Sequence, residues 1–95
     1  MGSTYTSIHL HIVFSVKDRA PLLTTGIREK VHRYVGGIIK EHKCVPITIG
    51  GTADHIHILV RIATDISTAD LLRHIKSSSS RWINLESKPL VKFAW

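Results

Sequence analysis

Apolar and polar residues alternate along Ile8-His9-Leu10-His11-Ile12-Val13-Phe14-Ser15-Val16. Side chains two positions apart share one face of a strand, so Ile8, Leu10, Ile12, Phe14 and Val16 form an apolar face and a strand is predicted there. Lys17-Asp18-Arg19-Ala20-Pro21 reads as a basic loop, because Pro21 has no N–H for a ladder. Thr24 or Thr25 can cap a helix. Ile27, Val31, Tyr34, Val35, Ile38, Ile39 and His42 recur at helical spacing, which predicts a first helix over about 25–42. Gly36-Gly37 in its interior costs roughly 1 kcal/mol per glycine against alanine, which suggests close approach to a sheet or a second subunit. Val45-Pro46-Ile47-Thr48-Ile49 is a second strand, placed at an edge or begun at Pro46. Gly50 to Asp54 reads as a turn, and His55-Ile56-His57-Ile58-Leu59-Val60-Arg61-Ile62 as the returning strand of a hairpin.

Ser67-Thr68-Ala69-Asp70 resembles a capping box with Asp in place of Glu, and opens a second helix running to about Ile83. Leu71, Leu72, Ile75, Trp82 and Ile83 supply its apolar face. Leu90-Val91-Lys92-Phe93-Ala94-Trp95 begins a further strand. The order β-α-β-β-α-β predicts an α+β fold of the ferredoxin-like split βαβ type. Its antiparallel sheet carries two helices on one face and leaves the other face free. Ninety-five residues are enough for one domain, 1–95, with one two-layer core.

Charge changes this picture more than composition does. Thirteen Lys and Arg oppose seven Asp and Glu, a net charge of +6, which favours a polyanionic partner such as nucleic acid. Cys44 is the sole cysteine, so no internal disulfide forms and a reducing cytoplasm is expected. No stretch approaches the roughly 20 apolar residues that span a bilayer, and no secretion signal is read at the N-terminus.

The chemistry-bearing pattern is Asp54-His55-Ile56-His57. His55 and His57 project from one face of a strand, about 6–7 Å apart at Cα, while Ile56, Ile58 and Val60 point into a core. Two imidazoles aimed at one spot can hold one divalent ion, although such a pair is also compatible with a structural role. His9-Leu10-His11 has the same spacing. Pairing His55 with about Val16 and His9 with about Ile62 puts the two histidine pairs at opposite ends of the sheet, on the order of 15–20 Å apart. His9 and His11 are accordingly read as polar-face residues.

On the second helix, Arg73, Lys76, Ser77, Ser80 and Arg81 fall on one stripe of cations and hydroxyls without an acid, suited to phosphodiester oxygens. Lys17 and Arg19 on the first loop, with Arg28 and Lys30 beyond, add positive charge. Trp82, Phe93 and Trp95 are read as core rather than as base-stacking platforms. Neither Tyr5, in the N-terminal arm, nor Tyr34, on the first helix, is placed near the His55/His57 end.

Taken together, these segments resemble the single-tyrosine, HUH-type transposases of small bacterial insertion sequences of the IS-two-hundred type. The matching stretches are His9 to Ser15 with Lys17 and Arg19, Tyr34 to Ile39, Ile49-Gly50-Gly51 through Asp54 to Leu59, Leu71 to Ser77 with Ser79 to Ile83, and Phe93-Ala94-Trp95. The resemblance implies that His55 and His57 bind Mg²⁺ or Mn²⁺ at the scissile phosphate of single-stranded DNA. It further implies attack by a tyrosine to give a 5′-phosphotyrosine link and a free 3′-hydroxyl, and dimers that recognise hairpins at the element's ends. In that family the tyrosine and a further polar metal ligand sit on a helix beyond the strand that begins near Phe93. This chain is therefore expected to lack both and to bind DNA, and metal, without cleaving alone. Neither a membrane partner nor a small-molecule substrate is expected. The contrasting reading is a ferredoxin-like module that binds a small ligand or regulates, without catalysis.

Overall fold

The structure, a computed structural model, describes residues 7–95. Strand β1 (Ile8–Ser15) leads through a single 3-10 turn (Lys17–Arg19) to helix α1 (Thr25–Glu41). The hairpin β2 (Val45–Gly51) and β3 (His55–Ile62) follows, and then helix α2 (Thr68–Glu86). β3 lies between β1 and β2, antiparallel to both. This is the expected α+β architecture up to the end of α2.

One face of the sheet makes the core. Ile12, Phe14, Ile56, Ile58 and Val60 pack against Val31, Val35, Ile38 and Ile39 of α1 and Leu71, Ile75 and Ile83 of α2. The helices form because their apolar residues recur on one side, and their ends are built differently. Ser67 caps α2 by accepting the Asp70 N–H at 3.1 Å. Thr24 occupies the N-cap position of α1 but makes no side-chain cap bond. Gly36 lets α1 approach the sheet: a Cβ there would lie 3.5 Å from the Ile49 side chain. Pro46 is tolerated because β2 is an edge strand, and the ladder is irregular between Pro46 and Thr48.

Four expectations change. The pairing of β1 with β3 sets His55 opposite Ser15 and His9 opposite Arg61, one residue from the expected register. A one-residue slip exchanges the faces of a strand, so the observed register is the one that puts both histidine pairs on the same open face. Gly50 and Gly51 belong to β2, opposite His57 and Ile56, and only Thr52 to Asp54 turn the chain. Glycine is a turn signal in sequence, but here it serves close approach: Gly51 has φ +154, and a Cβ on it would collide with the His55 carbonyl oxygen. α2 runs one turn further than expected, to Glu86.

The fourth change concerns Leu90 to Trp95, which form no strand. Leu90 and Val91 stand exposed, and the segment's last residues meet the Phe14 ring of β1, its centroid 4.7 Å from that of the Trp95 ring, and the turn after it, where the Lys17 N–H donates to the Ala94 carbonyl at 2.9 Å. Side chains of α2 take over the ladder's role. The Asn84 amide donates to the Phe93 carbonyl at 3.0 Å and accepts the Phe93 N–H at 2.8 Å. Trp95 Nε1 donates to the hydroxyl of buried Ser79 at 2.8 Å, and Phe93 fills the core.

α1 ends in a Schellman motif: the Lys43 N–H bonds the Lys40 carbonyl at 2.9 Å and the Cys44 N–H bonds the Ile39 carbonyl at 3.1 Å. Lys43 takes the left-handed position, φ 61, which glycine occupies without steric cost. Lys43→Gly is expected to raise the unfolding free energy by about 0.5–1 kcal/mol, the relief of a left-handed non-glycine residue less glycine's added unfolded-state freedom. Thermal and urea denaturation check this, and a lower midpoint would refute it.

Candidate metal centre and nucleic-acid interface

The alternation of β3 builds the site. Ile56, Ile58 and Val60 are fully buried, which forces His55 and His57 onto the open face. Their ring centroids lie 6.3 Å apart with the planes tilted by 36°. A shared ion at metal–nitrogen distances of about 2.1 Å would require the two rings to converge from this spacing. Among the described residues no three His, Cys, Asp or Glu side chains gather closely enough to hold a metal. The candidate site thus consists of two half-buried imidazoles on the open face.

His55 is braced from behind. Its Nδ1 lies 3.0 Å from Asp54 Oδ1 and 2.8 Å from the Thr52 hydroxyl, which itself donates to Asp54 Oδ1 at 3.1 Å. A proton on Nδ1 satisfies Asp54 and leaves the Nε2 lone pair free, the arrangement that carboxylates impose on metal-binding histidines. The hydrogen bonds from His55 and then Thr52 hold the Asp54 carboxyl below the usual carboxylate range; burial opposes them, and the charges of His55 and Arg19 add still smaller lowering contributions. The turn is tied to the body of the protein, since the Val16 N–H bonds the Asp54 carbonyl at 2.8 Å and the Leu23 N–H bonds the Ala53 carbonyl at 2.9 Å. Thr52 was not singled out by sequence, because a turn threonine carries no signal until the hairpin closes around it.

The expected separation of the two histidine pairs does not hold. The rings of His11 and His57 stand edge to face with centroids 6.1 Å apart. The register explains this: His57 faces Val13, so His11 is its diagonal neighbour on the same face. His9 is exposed at the far end of β1, opposite Arg61. His32 of α1 was not anticipated. Its Nε2 is buried without a hydrogen-bond partner, and burial, then the nearby charges of Arg28 and His57, favour its neutral form against a weaker pull from Glu29.

The cations fall into two groups. Lys17 and Arg19 are exposed on the turn between the His55 end of the sheet and the C-terminal segment. Asp18 and Arg19 hold left-handed backbone, φ 58 and φ 53, a conformation that strains non-glycine residues. On α2, Arg73, Lys76, Ser77 and Ser80 line a shallow groove closed by Ala94 and Trp95. Lys76 Nζ sits 5.2 Å from the centroid of the Phe14 ring. Arg73 is paired with Asp70 at 2.7 Å on the exposed surface, so an acid does adjoin the stripe. The hydroxyls of Ser77 and Ser80 donate back to the helix carbonyls of Arg73 and Ser77, which leaves their oxygens as acceptors. Arg81 lies one groove further along, beside Ser80, Ala94 and Lys92, a cation that sequence reading passed over. Tyr34 is remote from the histidines and stacks on Trp82 with centroids 4.8 Å apart. Tyr5 lies outside the described residues.

A family model described as "Transposase IS200 like" matches residues 4–95 of this chain. The chain belongs to the IS200-like transposases. It is similar in fold to a solved chain from Deinococcus radiodurans R1, assigned as a transposase, at TM-score 0.82 and 16% identity. That likeness spans 90% of this chain and 67% of the other. No curated protein matches the chain. The IS200-like match supports a role in DNA transposition, and among the described residues no helix is long and apolar enough to cross a membrane.

The brace on His55 has a pH signature. A carboxyl whose folded-state value is depressed stabilises the fold at pH above its unfolded value of 3.8, and that contribution is lost as pH falls through the lower folded value. Between pH 5 and pH 2 the wild-type transposase is expected to lose more stability than Asp54→Asn, the two curves running parallel above about pH 5. Equal acid slopes in chemical denaturation would contradict the brace.

Proposed function

We propose that this IS200-like transposase chain grips single-stranded, hairpin-bearing DNA and seats a phosphodiester at a divalent ion held by His55 and His57. The supporting observation is the paired imidazoles on the open face, one of them oriented by Asp54 and Thr52, beside an exposed basic turn. His55 and His57 would hold Mg²⁺ or Mn²⁺ through one nitrogen each, and phosphate oxygens and water would supply its other ligands. Imidazole nitrogen suits Mn²⁺ better than the strongly oxygen-seeking Mg²⁺. When bound, the ion supplies Lewis acidity that polarises the phosphate. His55 and His57 fix its place, and Asp54 keeps His55 in the tautomer with Nε2 free.

The electrostatics give the strand a route. Lys17 and Arg19 lie at the His55 end of the sheet, and the groove of Arg73, Lys76, Ser77 and Ser80 opens on the other side of the same turn, with Arg81 beyond. Phosphates bound along these cations would hold the strand on both sides of the ion. In the reaction class that the family resemblance implies, a tyrosine oxygen forms a bond to phosphorus as the bond to the 3′-oxygen breaks. The 5′-phosphotyrosine conserves the bond for rejoining. Tyr34 cannot serve in place, being stacked on Trp82 in the helix layer. In this reading the attacking tyrosine comes from outside the described residues, and the described part of the chain supplies the grip on DNA within a homodimer.

Three measurements test this reading. Replacing His55 and His57 by alanine is expected to abolish Mn²⁺ binding in calorimetry and leave the melting transition in place, and an unchanged titration would remove the site. Neutralising Arg73, Lys76 and Arg81 is expected to weaken binding to hairpin single strands and to flatten the slope of log K against log salt by about 0.7 per lost phosphate contact. An unaltered slope would take that face out of the interface. Incubation of the chain with hairpin DNA and Mn²⁺ is expected to give no covalent adduct on a denaturing gel, and a tyrosine-linked product would overturn the binding-only assignment.

A further inference from the structure

His57 is the less supported of the two histidines by hydrogen bonds, yet its ring has a defined seat. Gly50 lies opposite it in the β2–β3 ladder. A Cβ added to Gly50 would stand 2.7 Å from Cε1 and 3.0 Å from Nε2 of the His57 ring, and 3.6 Å from its Nδ1. The ring therefore lies across the neighbouring backbone, in space that any side chain at position 50 would fill. On the β1 side the ring of His11 stands perpendicular to it, centroids 6.1 Å apart, and flanks it in that direction. Gly50 itself has no left-handed backbone angle, unlike Gly51 with φ +154, so alanine at 50 is compatible with the local chain. Position 50 has nothing to gain from glycine except room for the ring, since glycine weakens strand interiors.

We propose that Gly50 is a positioning residue for the metal centre, and that its missing side chain, with His11 opposite, sets where the nitrogens of His57 point. The inference rests on the reading of His55 and His57 as metal ligands, but the contact it describes can be tested without metal. An alanine at 50 meets only the far end of a side chain, so the ring moves and the sheet stays. The displaced ring must turn toward His11 or out to solvent, and either movement changes its distance from the His55 ring, now 6.3 Å centroid to centroid. The general consequence of disturbing a ligand's support is a loss of affinity of roughly 10–100-fold.

The test compares Gly50→Ala, His57→Ala and the double variant, with Gly37→Ala as a control because a Cβ there meets nothing within 4 Å. Mn²⁺ affinity is read by calorimetry, and stability by thermal melting without metal. Gly50→Ala is expected to fold and to bind Mn²⁺ at least about tenfold more weakly. Gly37→Ala is expected to bind as the wild type does. In the metal-free melts, alanine at 50 is expected to be better tolerated in the His57→Ala background than with His57 present, because the ring is then gone and the strand gains propensity. A Gly50→Ala effect on melting that is the same in both backgrounds would overturn the seat. So would Mn²⁺ affinity unchanged by Gly50→Ala in a wild type that binds the ion. A wild type that binds no Mn²⁺ would instead sink the metal reading, while the melting cycle would still decide the contact.

Discussion

The parity of one strand pairing governs this molecule. β1 and β3 meet with Ser15 opposite His55 and Ile8 opposite Ile62, so every side chain of β3 has its face decided by that register. Ile56, Ile58 and Val60 go to the helices and are fully buried. Burial of three branched side chains contributes several kcal/mol, at about 1.5–3 kcal/mol each. A slip by one residue would forfeit that burial and drive two imidazoles into hydrocarbon. The hydrophobic layer thus fixes the histidine pair in space more firmly than any contact of the histidines themselves. This is why the open face can carry polar groups with few partners and still hold them in a defined arrangement.

On that frame the two candidate ligands are supported by different physics. His55 is held by hydrogen bonds: Asp54 and Thr52 converge on Nδ1, and the turn that carries them is pinned to Val16 and Leu23 by backbone bonds. His57 is held by shape, lying over Gly50 with His11 at its flank. A hydrogen-bonded ligand is sensitive to the ionisation of its partner, and a shape-held ligand to added volume. The site therefore has one electrostatic and one steric point of vulnerability, neither of which is a ligand. His32 adds a third influence from below. Its Nε2 is buried without a hydrogen-bond partner, and burial, then the charges of Arg28 and His57, make it harder to protonate.

Much of this was legible in the chain. Alternation over Ile8–Val16 and His55–Ile62 carries the sheet, and the spacing of Val31, Val35, Ile38 and Ile39 carries α1, because periodicity reports directly which side is buried. The imidazole pair was legible for the same reason. What failed was what depends on partners rather than on pattern. The register was one residue off, since pairing is chosen by the whole core and not by either strand, and the expected separation of the histidine pairs did not anticipate the approach of their inner members, His11 and His57. Gly50-Gly51 looked like a turn, because in one dimension a glycine that makes room and a glycine that bends the chain are the same letter. Phe93-Ala94-Trp95 looked like a strand; in space Asn84 supplies the donor and acceptor that a neighbouring strand would have supplied.

The basic turn connects these layers. Val16 bonds the Asp54 carbonyl, and one residue later Lys17 bonds the Ala94 carbonyl, so a short stretch of backbone ties the histidine site to the α2 groove. Between those ties and α1, Asp18 and Arg19 adopt left-handed backbone that costs roughly 1–2 kcal/mol per residue. Such strain persists only where the surroundings over-determine it. Here its effect is to present Lys17 and Arg19 together at the sheet's end, with Arg19 close enough to contribute to the depressed ionisation of Asp54. A relaxed turn would leave the same charges in the sequence but not at the junction. A cation on a free loop adds little to the orientation of a polyanion, since ordering the loop offsets the attraction. A cation on a turn already tied at both sides has met that entropy cost during folding. The same backbone bonds that close the core thus fix where Lys17 and Arg19 stand between the histidine face and the helix groove.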